Sequence, residues 1–179
     1  INTLDVDYAM FQEVDQKAHR SFGIDEVELI SSTRPDFAAW LSYNYRALYI
    51  PYPLSSPLGA VRSGLLTLSR YNAIESRRLQ LPGNYNWPLR LFYPTRCIHV
   101  VRSPAATSDK YWYFINIHLS AYDSSGNLRS QQLEFIRSLM EDLYDAGNYV
   151  IVGGDWNSLF PGTDIDTFGA YTTKEENLF

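Results

Sequence analysis

The chain alternates short apolar runs with turn-forming stretches, and two of the runs have a clear period. Residues 111–119 (YWYFINIHL) are apolar on both faces, which is typical of a strand covered on both sides. Residues 128–146 instead repeat apolar side chains at helical spacing, and Gly147 follows where a C-terminal cap is expected. The sequence therefore predicts a buried strand followed by a long amphipathic helix.

Shorter apolar runs predict further strands. They cover residues 8–14, 37–44, 46–52, 64–69, 97–102 and 149–152. We expect residues 97–102 and 111–119 to pair across a turn rich in Ser, Pro, Ala and Thr. Residues 70–83 are expected to continue the 64–69 strand as far as a Pro-Gly turn.

Loosely helical spacing predicts a second helix over residues 19–32. Strands interspersed with helices, some of the strands apolar on both faces, indicate an α/β layered domain. We assign residues 1–179 to a single domain. The only cysteine, Cys97, excludes an internal disulfide.

The net charge of −5 is unevenly distributed. Residues 62–102 contain seven arginines and one acid, Glu75, whereas the segments on both sides are acidic. One basic segment in an otherwise acidic chain argues against extensive, salt-dependent binding along nucleic acid, because such binding needs many phosphate contacts. It is compatible with a local anionic substrate, or with a solvated arginine-rich surface.

Polar side chains stand at three predicted strand ends, where layered α/β proteins tend to place catalytic groups. They are Gln12 and Glu13 after YAMF, Asn116 and His118 in FINIHL, and Asp155 and Asn157 after YVIVGG. Asn116 and His118 have the same parity, so their side chains point to one face. Carboxylates with nearby amides offer the oxygen ligands that a hard cation such as Mg²⁺ prefers.

What the sequence lacks argues against a zinc site and against the commonest nucleotide-binding folds and serine hydrolases. It has no cysteine cluster or histidine pair at zinc spacing, and no P-loop, GxSxG or GxGxxG motif. Each strand end taken alone also has a structural interpretation: Glu13 as a solvated end, His118 as a hydrogen-bonded structural histidine, Asp155 as a turn cap. The order and spacing of the three together favour a site.

Five motifs follow one another: FQEVD, GLLTLSRYNAI, INIHLS, a helix with LRSQQL, and VIVGGDWN. This succession, over residues 7–157, resembles the endonuclease/exonuclease/phosphatase superfamily. That superfamily includes deoxyribonuclease I, abasic-site endonucleases, neutral sphingomyelinases and inositol polyphosphate phosphatases. GDWN differs from the commoner GDFN only by one aromatic for another. The resemblance implies a deoxyribonuclease I-like four-layer α/β sandwich, with two packed mixed β-sheets flanked by helices.

The resemblance also implies roles for individual residues. Glu13 would be the ligand of Mg²⁺, or of Mn²⁺ in its place, and His118 would contact the scissile phosphate as an acid or hydrogen-bond donor. Asp155 would position or deprotonate the attacking water. Asn157 would bind the phosphate or orient the catalytic groups, and Arg96 would contact the phosphate.

Other positions that match the motifs look supportive rather than chemical. Asn116, Ser69 and Arg70 are predicted to support the site. Arg129 and Gln132, in the LRSQQL helix, are predicted to pack or to hold other groups in place. The substrate partner implied is a phosphoester (a small molecule, a lipid headgroup or nucleic acid), and no obligate protein partner is inferred.

Two elements of the superfamily are not found in this sequence. The first is an Asn from an N-terminal strand that precedes the FQEVD motif, and the second is a C-terminal Ser-Asp-His. We therefore interpret the chain as a part of the fold, with strands expected at both ends. The 179-residue chain by itself is expected to have little or no hydrolase activity, and a full-length protein with both elements to be active with Mg²⁺ or Mn²⁺. Mg²⁺-dependent hydrolysis by the 179-residue polypeptide would contradict this expectation.

Three functions stay open at this point. The first is a phosphodiesterase or phosphatase that acts on a small molecule or a lipid headgroup. The second is a nuclease of the same fold, whose binding should weaken steeply with salt. The third is a non-catalytic binding module, for which a Glu13→Ala change would be tolerated and no Mg²⁺ would bind.

Overall fold

Two β-sheets form the centre of the molecule. The computed structural model describes residues 5–83, 86–121, 126–159 and 162–163. Within these residues the first sheet has the antiparallel order β1-β3-β2 and the second has the order β4-β5-β6-β7, with β6 and β7 parallel. The strands are β1 (Tyr8–Asp15), β2 (Ala38–Ile50), β3 (Gly59–Ser69), β4 (Glu75–Gln80), β5 (Cys97–Pro104), β6 (Tyr111–His118) and β7 (Tyr149–Asp155).

Strand β6 is covered on both faces, as its sequence predicts. Ile115 and Ile117 are fully buried in a cluster that includes Ile136 of helix α2 (Asn127–Asp145). On the opposite face the Phe114 ring stacks on Tyr8 of the other sheet, with ring centroids 3.5 Å apart. One face of β6 therefore packs on a helix and the other on the first sheet.

The first sheet is covered in the same way. Leu66 and Leu68 of β3 point away from the second sheet and are buried against Val27 and Ile30 of helix α1 (Glu26–Ser32). The four layers are therefore α1, the three-stranded sheet, the four-stranded sheet and α2, which confirms the predicted four-layer α/β sandwich. The second sheet is mixed, whereas the first is antiparallel throughout its described strands.

The predicted helix over residues 19–32 is wrong in its first half. The structure has a 3-10 turn over His19–Ser21 and then two left-handed residues, Phe22 and Gly23, with φ of 56° and 75°. Helix α1 starts only after Asp25, whose side chain accepts a hydrogen bond from the Glu28 amide. The helical spacing of the apolar residues could not reveal this break.

Two strand predictions also change. Residues 37–44 and 46–52, predicted as separate strands, form the single strand β2, which ends at Ile50. Residues 70–83 do not simply continue β3, because the chain crosses to the other sheet and forms β4 there. The long helix is confirmed as Asn127–Asp145. No helix in the described part of the chain is long and apolar enough to cross a membrane.

Gly154 lets β7 lie close to β6. Its φ is +134°, and a Cβ atom at this position would lie 2.1 Å from the carbonyl oxygen of Ile117. A side chain could be accommodated only if the two parallel strands moved apart. The second glycine of GGD is therefore needed for the register that places Asp155 beside His118.

A Gly154→Ala change is expected to lower the free energy of unfolding by about 2–4 kcal/mol, because it adds both a clash and backbone strain. Gly153→Ala is the matched control, since its Cβ would meet only the flexible Met10 sulfur at 3.3 Å. Urea denaturation of both variants measures the difference. Equal destabilisation by the two changes would contradict this account.

Candidate functional site

A β-bulge presents Glu13 at the edge of the first sheet. The pairing of β1 with β3 shifts between Phe11 and Val14, and Glu13 has a left-handed φ of 58°. Such a bulge re-aims the side chain away from the regular ladder. The Glu13 side chain is 65% exposed, so its carboxylate is available to a ligand.

His118 lies between this carboxylate and a second one. Its Nε2 is 3.9 Å from Glu13 Oε1 and 3.6 Å from Asp155 Oδ2. Both distances exceed that of a hydrogen bond, so the three groups are close without being locked together. The imidazole is nearly buried, whereas the Asp155 side chain is 47% exposed. The structure therefore brings together Glu13, His118 and Asp155, which belong to three different strands.

The Gly-Asp-Trp-Asn turn is held to the end of β6. The Asp155 carbonyl accepts a hydrogen bond from the Leu119 amide at 2.9 Å. Asp155 Oδ1 accepts from the Asn157 amide at 2.8 Å, and Asn157 Nδ2 donates to the Leu119 carbonyl at 2.8 Å. Asn157 has a left-handed φ of 45°, which asparagine tolerates well. Asp155 and Asn157 are thus fixed side by side at the strand end.

The surroundings of His118 favour its neutral form. Burial lowers the pKa of this imidazole, and the positive charge of Arg96 lowers it further, while the carboxylates of Asp155 and Glu13 raise it. The net direction is downward. Its Nδ1 is buried and has no hydrogen-bond partner among the described residues. Arg96, just before β5, is therefore close enough to the site for its charge to act on His118.

Asn116 connects the site to the interior. Its Nδ2 donates to the carbonyls of Phe11 and Leu66, each at 3.1 Å, and its Oδ1 accepts from Gln12 Nε2 at 2.8 Å. These bonds connect the two sheets and fix the positions of Phe11 and Gln12, the two residues before Glu13. The structure thus places Asn116 where it supports the bulge.

Ser69 and Arg70 lie at the other end of the first sheet. Ser69 pairs with Tyr8 at the start of β1, and its hydroxyl exchanges hydrogen bonds with the backbone of Tyr71. Arg70 forms ion pairs with Asp5 and Asp7 at 3.0 and 3.2 Å. The structure does not bring these two residues to the site, and their contacts are those of the local backbone and surface.

Gln132 and Arg129 of α2 hold the loop that follows His118. The buried Gln132 side chain accepts from the Ser120 amide at 3.1 Å and donates to the Pro82 carbonyl at 3.2 Å. Arg129 Nη1 donates to the Ala121 carbonyl at 2.8 Å. The predicted holding role of both residues agrees with these contacts.

One buried polar cluster was not predicted from the sequence. His99 of β5 is fully buried, its Nδ1 lies 3.1 Å from Thr67 Oγ1, and its Nε2 lies 2.9 Å from Ser76 Oγ. Thr67 Oγ1 also accepts a long hydrogen bond from Asn116 Nδ2 at 3.5 Å. A single His and a single Thr within apolar strands were the available signal, because buried polar groups require partners.

The donor set fits a hard cation. The carboxylates of Glu13 and Asp155 and the side-chain carbonyl of Asn157 offer oxygen ligands. Mg²⁺ is usually bound by one or two carboxylates together with waters and substrate phosphates. No group of three or more His, Cys, Asp or Glu side chains in the described residues could hold a metal by itself. The residues therefore fit Mg²⁺ shared with a substrate better than a fully protein-enclosed metal.

An apolar cavity lies elsewhere in the described part of the chain. It has a volume of about 920 Å³ and is lined mainly by apolar and aromatic side chains, among them Tyr8, Met10, Trp112 and Phe114. Tyr8 and Trp112 lie at the ends of β1 and β6 opposite Glu13 and His118. We place the candidate site at the carboxylates rather than in this cavity, because the titratable groups converge there.

Comparison with known structures identifies the fold. The chain has the endonuclease/exonuclease/phosphatase, deoxyribonuclease I-like fold, which confirms the fold that the sequence resemblance implied. No protein-family model matches the chain, and no curated protein matches its sequence.

Three solved structures illustrate the similarity. The catalytic domain of human Nocturnin with bound sulfate has 19% identity and a TM-score of 0.57 over 85% of this chain. An endonuclease/exonuclease/phosphatase from Beutenbergia cavernae has 20% identity and a TM-score of 0.63 over 87%. ANGEL2, a 2',3'-cyclic phosphatase, has 16% identity and a TM-score of 0.60 over 94%. This chain covers 52%, 40% and 44% of those structures, respectively, or about half of their length or less.

The neutral state of His99 predicts a pH dependence of stability. Burial lowers the pKa of His99 to about 4. His99 therefore takes up a proton near pH 6.5 in the unfolded chain, but only near pH 4 in the folded chain. Because the unfolded state binds more protons between these two pH values, the free energy of unfolding falls as the pH drops from 6.5 to 4. The loss should approach about 3 kcal/mol at the acid end. The measurement is urea unfolding at several pH values, with the non-titrating His99→Gln variant as reference.

The difference between the two proteins isolates the histidine from other titrating groups. Relative to His99→Gln, the parent chain should lose stability progressively from pH 6.5 to pH 4. A difference that stays constant over this range would show that His99 is protonated, or accessible to water, in the folded state.

Proposed function

We propose that the full-length protein hydrolyses phosphoester bonds with Mg²⁺ by direct attack of water on phosphorus. The observation that supports this most is the convergence of Glu13, His118 and Asp155 from three strands, with Asn157 fixed beside them. The fold supports the same chemistry, since ANGEL2 is a 2',3'-cyclic phosphatase. Mn²⁺ is a reasonable substitute for Mg²⁺.

In this proposal Glu13 would hold the cation, and its exposed carboxylate leaves room for a substrate beside it. Bound there, Mg²⁺ supplies Lewis-acid stabilisation of charge on the phosphoryl oxygens. The bulge serves this role because it turns the Glu13 carboxylate outward while Gln12 stays anchored to Asn116. The carboxylate is thus exposed on a rigid support.

Asp155 orients the attacking water and accepts its proton as the new P–O bond forms. Its Oδ1 accepts a hydrogen bond from the backbone amide of Asn157. This leaves Oδ2, the oxygen nearer His118, to face the water. A neutral His118 can donate a hydrogen bond from Nε2 to a phosphate oxygen. Arg96 adds positive charge at the same place, and the leaving oxygen takes its proton from solvent.

The test is hydrolysis of bis-p-nitrophenyl phosphate by the full-length protein with and without Mg²⁺. Asp155→Asn should lower the Mg²⁺-dependent rate by roughly 100- to 10,000-fold, because it removes the proton acceptor. Glu13→Gln should weaken Mg²⁺ binding measured by calorimetry. Glu141→Gln is the matched control, since Glu141 lies on the outer helix and pairs with Arg137.

The control variant should keep the activity of the parent protein. Unchanged Mg²⁺ binding in Glu13→Gln, together with unchanged hydrolysis in Asp155→Asn, would refute the proposed site. A protein that binds no Mg²⁺ and hydrolyses no phosphoester would instead be a non-catalytic module with this fold.

A further inference from the structure

Strands β2 and β3 extend past the candidate site. Strand β1 ends at Asp15, opposite Ser63, whereas the pairing of β2 with β3 continues to Ile50 and Gly59. We call residues 46–62 the tip hairpin. It projects from the end of the sandwich at which Glu13 lies.

The tip hairpin presents apolar side chains to solvent. Leu48 is 96% exposed and Leu54 is 86% exposed, and Tyr49 and Tyr52 are also exposed. A register shift between Ala47 and Ile50 places Leu48 and Tyr49 in a bulge. These side chains are therefore displayed outward rather than packed in the ladder.

The exposure does not result from a poorly packed hairpin. Ala47, Ile50 and Val61 form a buried cluster of their own, against which Tyr45 and Leu58 pack. The base of the hairpin is thus internally stabilised. Its apolar tip is a defined surface, and exposed apolar groups of this kind mark interaction sites.

A second exposed apolar segment lies beside the hairpin. In residues 86–95, here called the aromatic segment, Trp87 is 72% exposed, and Leu89 and Leu91 are about half exposed. Tyr45 of β2 donates a hydrogen bond to the Phe92 carbonyl at 2.7 Å, which anchors the segment to β2 at the base of the hairpin. The segment leads directly into Arg96, the arginine that acts on His118.

The charges within the tip hairpin and the aromatic segment are of one sign. No Asp or Glu occurs between Asp36 and Glu75, or between Glu75 and Asp109. Arg46 and Arg62 are both exposed and face each other across the β2–β3 pair. Like charges directly opposite in a sheet are destabilising, and neither arginine forms an ion pair with the described residues.

We propose that this end of the molecule docks onto a phospholipid bilayer that contains anionic lipid. Exposed leucines can enter the acyl boundary, and Trp and Tyr are suited to the headgroup level, where one part of the ring is apolar and the other wet. Arg46 and Arg62 lie at the base of the hairpin, at the depth of the phosphates once the tip is inserted. Lipid phosphates would relieve the repulsion between the two guanidinium groups.

The same geometry would bring the candidate site to the membrane surface. This consequence rests on the proposed function, because only a phosphoester hydrolase would use the phosphates presented there. Docking itself requires no catalysis, so it is tested by binding alone and can fail independently of the proposed reaction.

The experiment is co-sedimentation of the protein with vesicles of phosphatidylcholine and phosphatidylserine, and with vesicles of phosphatidylcholine alone. We expect binding to the mixed vesicles that weakens with salt. The double variant Leu48→Ser/Leu54→Ser should bind at least about tenfold more weakly, because two leucines no longer leave water. The double variant Arg46→Gln/Arg62→Gln should lose the preference for the anionic vesicles.

Tyr144→Ser is the matched control, because Tyr144 is 72% exposed on α2. It lies beside Trp112 and Tyr149, at the ends of β6 and β7 away from the candidate site, and should not affect binding. All substituted residues are exposed, and unchanged thermal unfolding verifies that the variants fold. The proposal is overturned if the parent protein ignores both kinds of vesicle. It is equally overturned if the leucine variant binds as tightly as the control.

Discussion

The amide of Asn116 is the contact on which the rest of the site depends. It is fully buried between the sheets and hydrogen-bonds the backbone of β1 and β3, together with Gln12. A buried amide without these partners would be costly, so they fix the position of one sheet on the other. A slip of β6 by one residue would turn both Asn116 and His118 toward α2. The placement of Glu13 against His118 follows from this register.

The interior around Asn116 is polar but uncharged. His99 is held between two hydroxyls, and a neutral ring satisfies both contacts by donating from one nitrogen and accepting at the other. Hydroxyls and amides can be buried when paired, whereas carboxylates are far more costly to bury. The acids Glu13 and Asp155 accordingly lie at the rim, where water, a cation or a substrate can reach them.

One end of the sandwich combines chemistry with an unusual surface. The bulge of β1 and the ends of β6 and β7 supply the carboxylates and the imidazole, while the hairpin of β2 and β3 extends past them. Arg96 links the two regions, because it follows the aromatic segment and acts on His118. The far end holds the apolar cavity and the surface ion pairs of Arg70. One end of the molecule therefore carries the charged site and the extended hairpin, and the other carries an apolar cavity.

Local pattern in the sequence determined most of the strands and the long helix α2, and the order of the motifs implied this fold. The pattern could not show that Ala38–Ile50 form one strand, or that the chain crosses to the other sheet after β3. It could not show that residues 19–32 break at Phe22, because a left-handed backbone leaves no periodic signal. Nor could it separate Asn116, which supports the site, from Ser69, which lies at the other end of its sheet. Those distinctions depend on contacts between residues far apart in the chain, such as Gln12 and Asn116, 104 positions apart. Only the packing of one sheet on the other decides them.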